Sequence, residues 1–454
     1  MAIISSLTLK NESSRLLKKP EINSIGNRFI FGSVWVVFGH LGSQAIRLMA
    51  NLLLTRLLFP EAFGLMALVN IFLQGLEMFT VLGIGPSIIQ NKRGDDSDFL
   101  NTAWTIQVIR GFGLWILTMV LAWPVAGFYH QKELLLLLPI AGFTTIISGF
   151  NSTSLYLQNR NLKLKKITLI EFSSQGTGVV LMVLWAWLYP TIWALVIGRW
   201  FSCIIKMILS HILFKECRNR LQWESETMRE IIKFGKWIFV GTGLNFLATQ
   251  GDRLILGKYL SISELGIYSI AFYLSHAIIQ IMQTQASKIL FPVYSLIIRE
   301  NNGSLLEKTR KIRLLLMLIT LPVISATVIW GDQIVRILYD ARYHDAGWML
   351  QILGVGAAIE AVNITLSPIL LAKGDSFRHM VINSMKTVFL FGAMITGGHY
   401  WGTRGLIMGI PVSYLLTYPV MALAVKRYGV WTPIMDLSGL LLSAILIYYG
   451  FIFF

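Results

Sequence analysis

Apolar runs of about 20 residues recur along the whole chain, and no other feature limits the fold as strongly. A run of that length crosses about 30 Å of hydrocarbon as a helix. In lipid every backbone polar group must be satisfied within the protein, so such runs fold as transmembrane helices. A β-barrel would alternate apolar and polar residues in segments of about ten, and no such alternation is visible. Charge content agrees. Only 14% of the 454 residues are charged, against about 25% in an average soluble domain.

The pattern predicts spans near 29–51, 63–90, 100–122, 134–156, 167–188, 191–214, 234–257, 265–297, 312–330, 346–371, 379–397, 403–424 and 437–454. Residues 1–28 are polar and basic and read as a cytosolic tail. The longest polar connection, "KECRNRLQWESETMREIIKFGK" (215–236), falls after six spans and before the next six. The expected fold is therefore an all-α integral membrane protein with 12–14 helices. Its expected parts are an N-lobe over 29–214, a cytosolic linker over 215–233, a C-lobe over 234–425 and a terminal linker with a further span over 426–454. "RLLFPEAFGLMA" (56–67) and "KYLSISELGIYS" (258–269) align without a gap, Gly64 meeting Gly266. Six spans per lobe is an even number, so the two copies run the same way through the membrane, a parallel repeat of the kind transporters use.

Loop charge sets orientation. Lys and Arg number 26 in the N-terminal tail and after even-numbered spans, but 6 after odd-numbered ones. The N-terminus is thus expected in the cytosol. The same bias accounts for the net charge of +16 without a nucleic-acid partner. "QNRNLKLKK" (158–166) and "EKTRKIR" (307–313) read as cytosolic anchors against lipid headgroups.

Leaving aside residues within three positions of a span end, which are counted with the loops, seven basic residues fall inside spans: Arg47, Arg110, Arg199, Lys206, Arg253, Lys288 and Lys386. Four acids do: Glu77, Glu171, Asp252 and Glu360. A charge near a helix centre costs about 2.5–3.5 kcal/mol on insertion scales, so it faces a partner or a water-filled cavity. Arg47, Lys288 and Lys386 could instead snorkel to an interface. Asp252 and Arg253 are neighbours in sequence and point about 100° apart on a helix, so each needs its own partner. Arg199 and Lys206 are seven apart and share one helix face. This balance favours a cationic cavity for an anionic cargo: phosphate, pyrophosphate or acidic sugar. Trp185, Trp187 and Trp193 suit an interfacial belt. Trp200 lies deeper and suits either sugar stacking or helix packing. Pro86, Pro139, Pro292, Pro322, Pro368 and Pro411, with "GIGPS" (83–87) and "GVGAA" (354–358), mark expected bends and close helix approaches.

Several chemistries lack their residues. "GDRLILGKY" (251–259) has the wrong spacing and the wrong last residue for a phosphate-binding loop and lies in a span. Cys203 and Cys217 form no metal or redox spacing, and the seven histidines include no HxxxH pair. A polyprenyl-dependent glycosyltransferase or polymerase would want a large outer loop. The longest here is "GDQIVRILYDARYHDAG" (331–347).

Four segments carry a family resemblance: "LLLTRLLFPEAFGLMAL" (52–68), "VLGIGPSIIQ" (81–90), "GDRLILGKYLSISELGIYSIAF" (251–272) and "KILFPVYS" (288–295). They resemble signature segments of the bacterial polysaccharide (Wzx-like) flippases, in the larger group that also holds multidrug and toxin extrusion transporters and lipid II flippases. The resemblance runs over about 25–425. That family has twelve or fourteen spans, so thirteen departs from it and leaves the side of the C-terminus open. The resemblance implies a multi-pass bacterial inner-membrane carrier, not an enzyme. It would move an undecaprenyl-pyrophosphate-linked oligosaccharide to the periplasmic leaflet by alternating access, for O-antigen, capsule or exopolysaccharide. Implied partners are that lipid-linked glycan, membrane lipids, a polysaccharide polymerase and glycosyltransferases. No cofactor or metal is implied, and proton or sodium coupling is a hypothesis. Carried over, Arg199, Lys206 and Arg253, then Arg47 and Arg110, are the substrate-binding candidates. Asp252 matches an acidic position of the family's seventh span; with Glu77, Glu171 and Glu360 it is a candidate for coupling or charge positioning. Three alternatives compete: a drug or metabolite antiporter of the same fold, which would want an acidic cavity; a membrane-embedded glycosyltransferase or polymerase; and a non-catalytic partner of the polysaccharide machinery.

Overall fold

The structure is a computed structural model that describes residues 39, 42–79, 84–161, 163–214, 219–286, 290–300, 305–433 and 435–436. The predicted last span, 437–454, and Lys288 lie outside the described residues. Among those described, regular structure is helical throughout, with no strand. In order, the α-helices are α1 (42–57), α2 (Pro60–Phe79), α3 (Ile84–Gln90), α4 (Ser97–Tyr129), α5 (Leu134–Gly149), α6 (Ser154–Arg160), α7 (Leu164–Leu188), α8 (Trp193–Ile212), α9 (Ser225–Tyr259), α10 (Ile262–Gln285), α11 (Phe291–Glu300), α12 (Leu305–Leu338), α13 (Ala346–Ala372) and α14 (Ser376–Lys426).

Eight of these helices are long and apolar enough to cross a membrane, and α5 with α6, bent by 61°, makes a ninth crossing. Helix α14 is two crossings. It reverses at Trp401 and Gly402, whose φ of 57° only glycine adopts cheaply. The reversal lets Gly397 and Gly405 meet, each facing the other's carbonyl. Adding α1 and α9, which are not among those eight, and counting α14 twice gives twelve crossings among the described residues. The sharp breaks do not sit at the predicted prolines. They fall at the α5–α6 joint, at Trp330 and at Trp401–Gly402. Pro139, Pro322, Pro368 and Pro411 lie inside helices that continue through them. Neighbouring turns absorb the missing backbone donor there.

Helix ends are set by local chemistry. Asp96 caps α4 by accepting from the Asp98 amide, and His130 closes it at φ 56°. Ser261 and Glu264 form a reciprocal capping box at the start of α10. Asp375 accepts from the Arg378 amide to open α14.

Successive crossings alternate in direction, so the described residues that follow even-numbered crossings mark one end of the bundle, called here the basic end. Those that follow odd-numbered crossings mark the opposite end. In the N-terminal half α4 packs on α5, α7 on α8 and α5 on α8. In the C-terminal half α13 packs on α12, α14 and α10, and α9 on α14. The halves meet where α2 lies against α9 and α10. There the repeat is visible in space. A side chain on Gly64 would strike the Ile262 carbonyl, and one on Gly266 would strike the Pro60 carbonyl. In the alignment of 56–67 with 258–269, Ile262 is the counterpart of Pro60. The two contacts are thus images of each other about one pseudo-two-fold axis.

Two basic residues read as lipid-facing anchors turn inward instead. Arg160 donates to the carbonyls of Ile88, Ile89 and Asn91, capping the end of α3. Arg313 is fully buried. It donates to Asp436 at 2.6 Å, Thr365 at 3.1 Å and Thr432 at 2.8 Å, and so ties the segment after α14 to α12 and α13. A dense basic run hides such a residue, because nothing in its spacing separates it from solvated neighbours.

Candidate functional site

The seam between the halves holds a cavity of about 600 Å³ lined from α1, α2, α7, α8, α9 and α10. Gly178 on α7 and Gly198 on α8 each face the other's carbonyl, which draws these helices together and fixes the wall that carries Arg199. Arg199 donates to the Asn70 side chain on α2. Arg253, on α9, donates to Gln250 Oε1 at 3.1 Å, and Gln250 in turn donates to Gln74 at 3.0 Å. The Arg253 guanidinium stacks 3.7 Å from the Phe272 ring centroid, and Phe272 stacks on His276 at 4.7 Å. Arg47 enters from α1 and is exposed to the cavity. Gln44 of α1 donates to Gln280 of α10 at 2.8 Å and bridges the halves along one wall.

Electrostatically, these three arginines stand alone. Among the described residues no carboxylate lies within 4 Å of Arg47, Arg199 or Arg253. Their partners are neutral: Asn70, Gln250 and an aromatic face. Asp252, beside Arg253 in the chain, turns away into the protein, where the buried Tyr268 hydroxyl donates to it at 2.7 Å. The acid next in sequence is therefore bonded to Tyr268 and makes no ion pair with Arg253. Guanidinium groups held in a confined site without counter-ions attract an anion with two or more oxygens, since each presents a planar fork of donors.

The remaining candidates are placed elsewhere. Lys206 shares a helix face with Arg199 but lines an adjoining cavity of about 450 Å³, 3.7 Å from Glu171. Arg47 lines both cavities and joins them. Arg110 donates to the Glu77 carbonyl at 2.8 Å, and neither side chain lines the central cavity. Lys386 does not snorkel. It makes a half-buried ion pair with Glu360 in the C-terminal half, over the Tyr414 ring. Trp200 packs rather than lining the cavity, with Nε1 donating to the Ile140 carbonyl at 3.0 Å.

Phe272, His276 and Gln280, with Ser269 and Tyr273, were not singled out by charge. They recur at helical spacing along α10 and all line the cavity. A polar and aromatic stripe in an otherwise apolar span is the signal that would have found them. Asn70 and Gln74 on α2 are the same signal in short form.

Both ends are built to be closed or tied. At the opposite end, Tyr339 donates to Asn51 at 2.9 Å, Tyr343 to the Leu58 carbonyl at 3.0 Å, and Arg342 to the carbonyls of Thr55 and Arg56. The counterpart corner is held by Tyr129 on the Leu254 carbonyl and Lys258 on the Phe128 carbonyl. Arg342 also holds the Asp340 carboxyl below its ordinary range by hydrogen bonding to it. At the basic end the segment 219–224 lies along α4. Alternate backbone amides of Arg220, Gln222 and Glu224 donate to Asn101, Thr105 and Thr102. Glu224 is pulled below its ordinary pKa, first by the Thr227 hydroxyl and then by Arg93. Asp96 is lowered too, first by Arg93 and then by the Asp98 amide.

Many apolar crossings packed around a central cavity between two halves make the fold of a multi-pass helical membrane protein. Solved structures share the fold. An inward-facing multidrug transporter of the MATE family superposes with a TM-score of 0.68 at 14% identity, covering 85% of this chain and 94% of that one. The lipid II flippase MurJ, in an inward closed conformation, gives 0.67 at 14% identity, covering 93% and 92%. Residues 53–347 match the family described as polysaccharide biosynthesis protein, and the chain belongs to that family. Among named relatives, the lipopolysaccharide biosynthesis protein WzxC of Escherichia coli (strain K12) is 20% identical over 422 residues, 90% of this chain and 85% of that protein. The teichuronic acid biosynthesis protein TuaB of Bacillus subtilis is 21% identical over 64% of this chain and 60% of its own length.

Proposed function

We propose that this protein is a flippase for a polyprenyl-pyrophosphate-linked oligosaccharide, used in making a surface polysaccharide. The observation that carries the reading is the trio Arg47, Arg199 and Arg253 in one cavity with no carboxylate beside them. A pyrophosphate supplies the missing charge, and its oxygens match guanidinium forks. The family and the polysaccharide relatives support the same cargo class. The polyprenyl tail would stay in lipid while the headgroup enters through the adjoining cavity, where Lys206 is the outermost cation.

In this reading α1–α8 and α9–α14 act as two lobes that rock about the Gly64–Gly266 axis. The basic end is cytosolic. The described arrangement, sealed by Tyr339, Tyr343 and Arg342, is the one that loads from the cytosol. Opening the other way requires those bonds to break. Polymerase and glycosyltransferases would stand on either side of the step. A proton or sodium gradient is the proposed drive, with Asp252 and Glu360 as the carboxylates available to it. An antiporter for cationic drugs would want those acids facing the central cavity; both are bonded away from it.

The test is translocation of a labelled polyprenyl-pyrophosphate oligosaccharide in proteoliposomes, with proton and sodium gradients imposed in turn. Arg199→Ala with Arg253→Ala should abolish movement while the protein still inserts and purifies as a folded monodisperse species. Undiminished transport by that double variant would remove the cavity from the path.

A further inference from the structure

We propose that a separate cavity in the C-terminal half is the subsite that holds the glycan of the cargo, apart from the arginine cavity that holds its pyrophosphate. This rests on the flippase reading above. The second cavity measures about 800 Å³ and lies between α9, α10, α11, α13 and α14. It carries no net charge, because Lys386 and Glu360 at its inner wall neutralise each other. The other polar groups on its walls are the amides and hydroxyls of Gln283, Asn363, Asn383, Ser367, Thr249 and Thr417 and the His379 imidazole, set among apolar side chains. Such groups offer donors and acceptors side by side without net charge, which suits the neutral polyol surface of a sugar rather than an anion.

One wall residue is short of a partner. Asn363 is 4% exposed and its Nδ2 donates to the Tyr414 carbonyl at 3.2 Å, while its Oδ1 is buried with no hydrogen-bond partner among the described residues. Buried acceptors are normally satisfied, and rotation of this side chain toward the cavity it lines would offer the oxygen to a sugar hydroxyl. Apolar side chains between the amides, Phe291 and Met380 among them, suit the C–H faces of pyranose rings.

The two cavities adjoin. Thr249 in one and Arg253 in the other are four residues apart on α9, so they stand one turn apart on the same face. Gln283 and Gln280 are three apart on α10 and do the same. A headgroup anchored by pyrophosphate at Arg253 therefore projects its sugars past Gln280 toward Asn363 and Asn383. The arginine cavity of about 600 Å³ takes the pyrophosphate with the first sugars. The longer part of a repeat unit needs the second space.

The experiment places a photoreactive benzoylphenylalanine at Asn383, which is exposed to the cavity, or at Ser202 in the arginine cavity, in bacteria making the polysaccharide. After irradiation, mild acid cleaves the sugar–pyrophosphate bond and mass spectrometry reads what stays on the protein. The expected result is glycan retained on the 383 adduct. A cargo adduct at 202 with none at 383, or a polyprenyl chain rather than sugar at 383, overturns the subsite and leaves the flippase reading standing. No cargo adduct at either position overturns both.

Discussion

At the scale of single residues, charge in an apolar setting is what the sequence makes legible. Arg199 and Arg253 stand out in their spans, and both line the central cavity. Helix geometry makes Asp252 and Arg253 point apart, but only the fold supplies Tyr268 on one side and Phe272 on the other. Arg313 was illegible for the opposite reason: its basic neighbours disguise it. Its pair with Asp436 is fully buried on both sides. Removing one partner leaves the other charge uncompensated, a loss of about 3–5 kcal/mol. Asp436→Ala should therefore melt far below wild type in detergent, while Arg313→Met with Asp436→Leu should recover most of that loss. A wild-type melting temperature for Asp436→Ala would refute the pairing. The basic-end cluster gives a pH-dependent prediction. The Thr227 hydroxyl and then Arg93 hold Glu224, and Arg93 holds Asp96, below their ordinary pKa values. Groups lowered on folding add stability above their unfolded pKa and lose it as pH falls through the folded one. Glu224→Gln should thus melt lower than wild type at neutral pH. The two curves should converge as pH drops below the ordinary carboxylate range, which melting profiles against pH would show.

At the scale of elements, hydropathy reports existence and order well and ends poorly. The run 63–90 is two helices, α2 and α3, and 134–156 bends between α5 and α6. The reversal in α14 needed no polar loop, because Gly402 turns the chain within a residue or two. Pro139, Pro322, Pro368 and Pro411 lie within continuous helices, since each lost bond is a small defect in an otherwise bonded rod. The short match between 56–67 and 258–269 was the more informative signal. It identified Gly64 and Gly266, where a methyl group would sit 2.0 and 1.9 Å from a facing carbonyl oxygen. Backbone cannot yield there as a flexible side chain would. Gly64→Ala or Gly266→Ala should prise the opposite end apart. In a background lacking Cys203 and Cys217, a membrane-impermeant maleimide added on that side should label Ser202→Cys several-fold faster in either variant. Equal labelling rates would mean that the seal tolerates the extra methyl.

At the scale of the whole molecule, composition and loop charge led to a helical membrane protein with two ends of unlike charge, and no contact had to be known for that. The cavity between the halves could be inferred only as a class. Its walls come from six helices spread between residues 44 and 280, a juxtaposition that spacing along one helix does not encode. The three arginines without counter-ions have a consequence for the empty carrier that extends beyond binding. If the vacant cavity changes face, it moves uncompensated charge through the membrane's electric field, and each elementary charge is worth about 2.3 kcal/mol per 100 mV. A resting potential negative on the basic side then draws the vacant cavity back toward that side, whereas in the proposed cycle a bound pyrophosphate offsets two of the three charges and makes the loaded stroke much less sensitive to voltage. The potential would thus act as a return spring chiefly on the empty protein. Proteoliposomes on a solid-supported membrane should show transient currents without cargo that shrink in Arg253→Gln and again when cargo is added.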